Sequence, residues 1–267
     1  MGTGANNVVY ALAVDQSNNL YAGGWLTQAG GVAVNYIAEW NGSSWSALGA
    51  GVTGVSGSTS VAALAVDASD NLFASGTFYS AGGVSATNIA EWNGSSWSAL
   101  GSGVGYIGPY SSSTVDALAI DPAGNVYAGG IFTTAGGVAA NQIAKWNGSA
   151  WSPLGSGLSA QVVALAADSS YHLYAGGLFF TAGQQASAYA TEANLILTPV
   201  VSGIVYNPGS QAAVSFQGSP GGTYVVQSSP DLMNWVNIST NLCPTNGVWG
   251  ITSPATVRKA FFRAFRP

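Results

Sequence analysis

The chain has 267 residues, enough for one large core or two modest ones, but only 6% of them are charged, against roughly 25% in an ordinary globular domain. That shortage, with 37 Gly, 9 Trp and 12 Tyr, sets it apart from a cytosolic housekeeping enzyme. Residues 1–197 carry nine acids and one base (Lys145), so they repel phosphate backbones and speak against nucleic-acid binding, and no apolar run approaches the ~20 residues of a membrane helix.

Met1 is followed at once by Gly2-Thr3-Gly4, with no basic and apolar leader, so no signal peptide is expected here. The same Gly-x-Gly pattern recurs at Gly49, Gly101 and Gly155, each time closing a repeat. The chain therefore opens at the end of a repeat, and we read it as an N-terminally truncated fragment whose export signal and earlier repeats are missing.

Four segments begin with a short apolar run ending in an aspartate: Asp15, Asp67, Asp121 and Asp168, spaced 52, 54 and 47 residues apart. From each of the first three aspartates to the closing glycine the distance is always 34 residues, so length varies only in the inter-repeat loops, Gly51 to Ser60, Gly103 to Thr114 and Gly157 to Gln161. A period near 50 marks an array or a propeller. In the first copy, Val8 to Val14 suits an inner strand buried on both faces, and Asp15 to Asn19 suits a turn whose side chains bond backbone amides. Leu20 to Leu26 predicts a second strand. After a glycine-rich loop, Tyr36 to Trp40 and Ser44 to Leu48 predict a hairpin around Asn41-Gly42, whose positive φ angles fit a tight turn. Four antiparallel strands per repeat make a propeller blade.

The LYAGG phrase, the aromatic before Asn-Gly and the Trp after it resemble the kelch and galactose-oxidase-like propeller repeat. The phrase recurs at Leu72 with Trp92 and Trp97, at Val126 with Trp146 and Trp151, and at Leu173, covering about residues 8–196. The resemblance implies a β-propeller, a fold that hosts many functions. The fourth copy lacks the WNGS turn and the second Trp. Four blades in a closed ring and an arc cut from a larger ring both remain open.

The propeller repeats are expected over residues 1–197 and a second domain over 198–267, where Asp231 is outnumbered by Arg258, Lys259, Arg263 and Arg266. Strand-like runs separated by NPGS, SPGG and PTNG turns predict a small β-sandwich there. Tyr224, Ser228, Leu232, Trp235 and Arg263 carry a resemblance to a fibronectin-III-like C-terminal module of secreted bacterial proteins, which implies display or anchoring. The lone cysteine, Cys243, excludes an internal disulfide and reads as a small apolar residue.

Each sharper functional reading has a plainer competitor. Trp pairs could stack on sugar, but their fixed place in every copy predicts cross-strand packing between blades. The NGS triplets at Asn41, Asn93 and Asn147 fit a glycosylation pattern, yet each falls where a hairpin turn needs Asn-Gly. The aspartate turns lack the carboxylates that a calcium loop requires. Glu39, Glu91 and Lys145 share one position, and the lysine argues for a solvent-facing strand rather than an acid–base pair. His172 has no second histidine to share a metal, and the repeats hold no arginine.

These readings predict an all-β chain with no catalytic residues, metal or cofactor. It would serve as a binding or scaffold module of a secreted or cell-surface bacterial protein, taking a carbohydrate or a protein through the variable loops. The second loop, with Tyr106, Ile107, Pro109 and Tyr110, is the richest, and Tyr106 and Tyr110 are the expected ligand contacts. The alternative is a non-catalytic part of a larger carbohydrate-active enzyme whose catalytic blades lie upstream.

Overall fold

The computed structural model describes residues 2–106, 113–194, 200–207, 211–217, 223–229, 233, 236–244, 248–254 and 261–265, and in them the chain is all-β. It divides into two compact units, Met1–Ala193 and Asn194–Pro267. The first unit is built of propeller blades. Blade 1 comprises β1 (Val9–Val14), β2 (Leu20–Gly24), β3 (Ile37–Trp40) and β4 (Trp45–Ala47), hydrogen-bonded in that order. Blade 2 repeats it with β5 (Ser60–Val66), β6 (Leu72–Thr77), β7 (Ile89–Trp92) and β8 (Trp97–Ala99). Blade 3 follows with β9 (Thr114–Ile120), β10 (Val126–Ile131), β11 (Ile143–Trp146) and β12 (Trp151–Pro153). Blade 4 has three strands among the described residues, β13 (Val162–Ala167), β14 (His172–Gly177) and β15 (Ala190–Asn194). The predicted glycine-rich loop is itself a small hairpin, Gln28–Ala29 against Val32–Ala33, repeated in each blade.

The first strands of successive blades lie side by side, and two of the apolar cores sit between blades, while a smaller one within blade 1 gathers Ala22, Leu26, Ala38 and Trp45. One core joins Tyr21, Ile37 and Leu48 of blade 1 to Val61, Leu72, Phe78 and Trp97 of blade 2. The next joins Phe73, Ile89 and Leu100 to Val115, Phe132 and Trp151. The two glycines of the LYAGG phrase have separate tasks. Between Val9 and Ala11 the register of β1 against β2 slips, as it does at the same place in the other blades. That bulge brings the Val8 carbonyl onto Gly24, where any Cβ would collide. Gly23, one residue earlier, faces the next blade and receives the side chains of Val61 and Leu64.

The paired indoles stand in register, Trp40 with Trp45, Trp92 with Trp97 and Trp146 with Trp151, with ring centroids 5.5–5.6 Å apart. The second of each pair is buried, and Trp97 Nε1 donates to the Leu48 carbonyl of the preceding blade at 2.8 Å, as Trp151 Nε1 does to Leu100 at 2.7 Å. The first is buried at Trp92 and half-buried at Trp40 and Trp146. One expectation fails: β1 is largely exposed, because no blade among the described residues covers its outer face. The Asn-Gly turn also differs. Only Gly42 takes a positive φ (91°), and the loop has four residues, held by Asn41 Oδ1 accepting from the Ser43 and Ser44 amides.

The second unit has two three-stranded sheets. One contains β16 (Val200–Asn207), β17 (Gln211–Gln217) and β20 (Val248–Pro254); the other has β18 (Thr223–Ser229) between β19 (Val236–Leu242) and β21 (Phe261–Phe265). Both contribute to one core, in which Trp249 stacks on Phe216 and on Tyr224 and Cys243 is buried, so the unit is a small β-sandwich.

Candidate binding surface

Strand pairing sorts the blade connections onto two edges. Leu20 pairs with Trp40, so the aspartate turn and the Asn-Gly turn share one edge, while Val9 pairs with Gly24 near the glycine hairpin on the other. The inter-repeat segments run along this second edge. Each starts by adding to the hairpin of the blade it enters: Val52 opposite Ala81, Val104 opposite Ala135, Leu158 opposite Ala182. Loops of different length thus diverge from one common anchor.

The turn edge is closed by its own hydrogen bonds. Asp15 accepts from the Asn19 amide through Oδ1 and from Asn19 Nδ2 and the Tyr21 hydroxyl through Oδ2. Burial opposes the Asp15 charge, but these bonds outweigh it and hold the carboxyl below its ordinary range, while the same desolvation pushes Tyr21 far up. Asp121 repeats the pattern with Asn125 and Tyr127. In blade 4, His172 stands where the other copies have asparagine, and its Nδ1 meets Asp168 Oδ2 at 2.8 Å; its Nε2 lies 3.8 Å from Glu192, a neighbour that local spacing did not reveal. The aspartates therefore serve their own turns. Glu39 and Glu91 are half-buried rather than solvent-facing, and desolvation, with Asp15 and Asp67 nearby, pushes both carboxyls up. Among the described residues no group of three or more His, Cys, Asp or Glu is placed to hold a metal ion.

On the loop edge Tyr106 is half-buried, beside Gly105 where the segment pairs with Thr134. Tyr110, with Ile107 and Pro109, lies outside the described residues. Two exposed side chains were not anticipated: Val55, at the head of a compact turn whose carbonyl accepts from the Ser58 and Thr59 amides, and Tyr79. Tyr79 directly follows the buried Phe78, at a position where blades 1 and 3 carry Thr27 and Thr133 and blade 4 carries Phe180. That alternation of threonine with a large aromatic was the available signal. Between blades 3 and 4 an open polar cavity of about 330 Å³ is lined by Asn141, Gln142, Ser156, Ser159 and Thr181. Ser159 Oγ accepts from the Phe180 and Thr181 amides, and Asn141 Nδ2 donates to the Ser156 carbonyl. The lining is neutral, suited to hydroxyls or peptide groups rather than to ions.

No family model and no curated protein matches the chain. Among solved structures it is similar to YCF48 bound to a D1 peptide, with a TM-score of 0.35 and 11% sequence identity over 97% of this chain and 78% of that one.

Proposed function

We propose that the chain is a non-enzymatic binding or scaffold module, of the kelch or galactose-oxidase-like type with a fibronectin-III-like appendage, that belongs to a secreted or cell-surface bacterial protein. It takes a neutral glycan or a protein loop on its loop edge. The observation carrying this reading is the division of labour between the edges: the turn edge is filled by repeated, internally bonded turns, while the loop edge collects all the length variation, the exposed Val55 and Tyr79, and a neutral polar cavity. Tyrosines there add contact area at small entropic cost. The strand order of the two C-terminal sheets supports the appendage reading.

The test is a glycan array together with a displayed library of constrained peptide loops, probed with the native chain and with a Tyr79→Ala/Tyr106→Ala/Tyr110→Ala variant. Binding by the native chain that the variant loses, at a nearly unchanged melting temperature, supports the assignment. Binding that survives all three changes, or no binding on either panel, refutes it.

A further inference from the structure

The blade-to-blade interface is made of two unlike halves. The leading half is the outer face of a first strand: Val61 and Leu64 of blade 2 reach Gly23 of blade 1, and Val162 and Leu165 of blade 4 reach Gly129 of blade 3 in the same way. The trailing half is a second strand whose glycine (Ser75 in blade 2, its hydroxyl donating to the Val115 carbonyl) receives them, beside an aromatic that the arriving blade buries. Among the described residues each half occurs once without its partner. Val9 and Leu12 of blade 1 are 37% and 62% exposed, although Val61, Val115 and Val162, at the Val9 position, are each at 0%. On blade 4, Tyr174 is 42% exposed where Tyr21 and Tyr127 are at 4% and 0%, and a Cβ on Gly176 would meet nothing nearer than 3.7 Å. An open, mostly apolar groove of about 490 Å³ runs along that face, lined by Ala164, Ala166, Tyr174, Gly176, Ala190 and Thr191.

We propose that these two faces mate between copies of this chain, the leading face of blade 1 on one copy docking against the trailing face of blade 4 on another. The occupant follows from continuity with the interface already repeated inside the chain: the free knobs are a valine and a leucine at the same spacing as those inside Gly23 and Gly129, and the free socket is the same glycine beside the same tyrosine. Such a contact is heterologous, so two copies satisfy both faces at once when the ring closes. Two copies supply eight blades, within the four-to-eight range of propeller rings. The faces are apolar, so burying them removes Leu12, Val14 and Tyr174 from water.

Sedimentation equilibrium of the whole chain is expected to give twice the 26.8 kDa of one copy. Leu12→Glu, on the leading face, and Gly176→Trp, filling the socket, should each give a monomer. Mixing the two variants should restore a dimer, weaker than the native one, because the intact knob of the Gly176→Trp chain meets the intact socket of the Leu12→Glu chain. Recovery on mixing also shows that both variants are folded. A native chain that stays monomeric throughout the accessible range overturns the proposal and leaves the faces to blades from another source. So does a dimer that Gly176→Trp leaves intact, which would mean face-to-like-face pairing, or a mixture that stays monomeric.

Discussion

A Gly→Ala change at two equivalent positions should have opposite signs. A Cβ built on Gly129 lies 2.6 Å from Val162 Cγ1 and 3.1 Å from Leu165 Cδ1, so blade 4 must back away from blade 3. Overpacking of this kind costs about 1–3 kcal/mol, offset by roughly 0.4–1 kcal/mol from the reduced freedom of the unfolded chain. The net effect is a loss of about 1–2 kcal/mol. At Gly176 the nearest atoms are the Tyr189 carbonyl oxygen at 3.7 Å and Ala164 Cβ at 4.0 Å, so the collision is absent and only the gain of roughly 0.4–1 kcal/mol remains. The assay is urea unfolding followed by tryptophan fluorescence. Both changes are made in the Leu12→Glu background, which keeps the chain monomeric and leaves both sites untouched. With a slope of about 2 kcal/mol/M, the midpoint falls by about 0.5–1 M for Gly129→Ala and rises by about 0.2–0.5 M for Gly176→Ala. Equal shifts at the two glycines would show that the socket is not what selects glycine there.

Three other outcomes follow from the same geometry. Trp97→Phe leaves the Leu48 carbonyl without its indole donor and opens space between blades 1 and 2; a loss of about 2–4 kcal/mol lowers the melting temperature by roughly 5–12 °C for a unit of this size, and calorimetry showing no change would refute the clip. Glu39 and Glu91 have carboxyls raised above the ordinary 4.5 by burial and a neighbouring aspartate, so their protonated forms favour the fold: that contribution is complete below pH 4.5 and is lost as pH rises through the raised values. Glu39→Gln/Glu91→Gln should therefore be more stable than the native chain at pH 7 and no different at pH 4, and a stability gain that persists at pH 4 would contradict the assignment. Finally, limited proteolysis should cut between Glu192 and Val201 before anywhere else, releasing two resistant pieces; a first cut inside a blade would refute a domain boundary there.

What the sequence conveyed depends on distance along the chain. The fixed 34-residue body gave the strand order within a blade, and the aspartate turns gave their own capping, because those contacts close within a few residues. The paired indoles were rightly taken as packing, but their Nε1 bonds to Leu48 and Leu100 join residues 49 and 51 apart, beyond any local pattern. For the same reason the LYAGG phrase showed a glycine pair without showing that one glycine yields to a bulge and the other to the next blade. The exposure of β1 and the openness of Gly176 depend on what packs beside them, which hydrophobic alternation cannot encode. At the binding surface, loop length drew attention to Tyr106, whereas Tyr79 sits inside the constant body, where variation in length says nothing.

The indole–carbonyl clip also bears on how such a chain assembles. The indole clips that bind one blade to the next span 49 and 51 residues, about one repeat, so each closes a loop of similar modest length at similar entropic cost. Folding can begin at any junction and spread to either side. No single side chain then counts the blades. Lengthening or shortening the array by one unit changes no junction chemistry, and the final number is set by geometry, at whatever point the last trailing face meets a leading one.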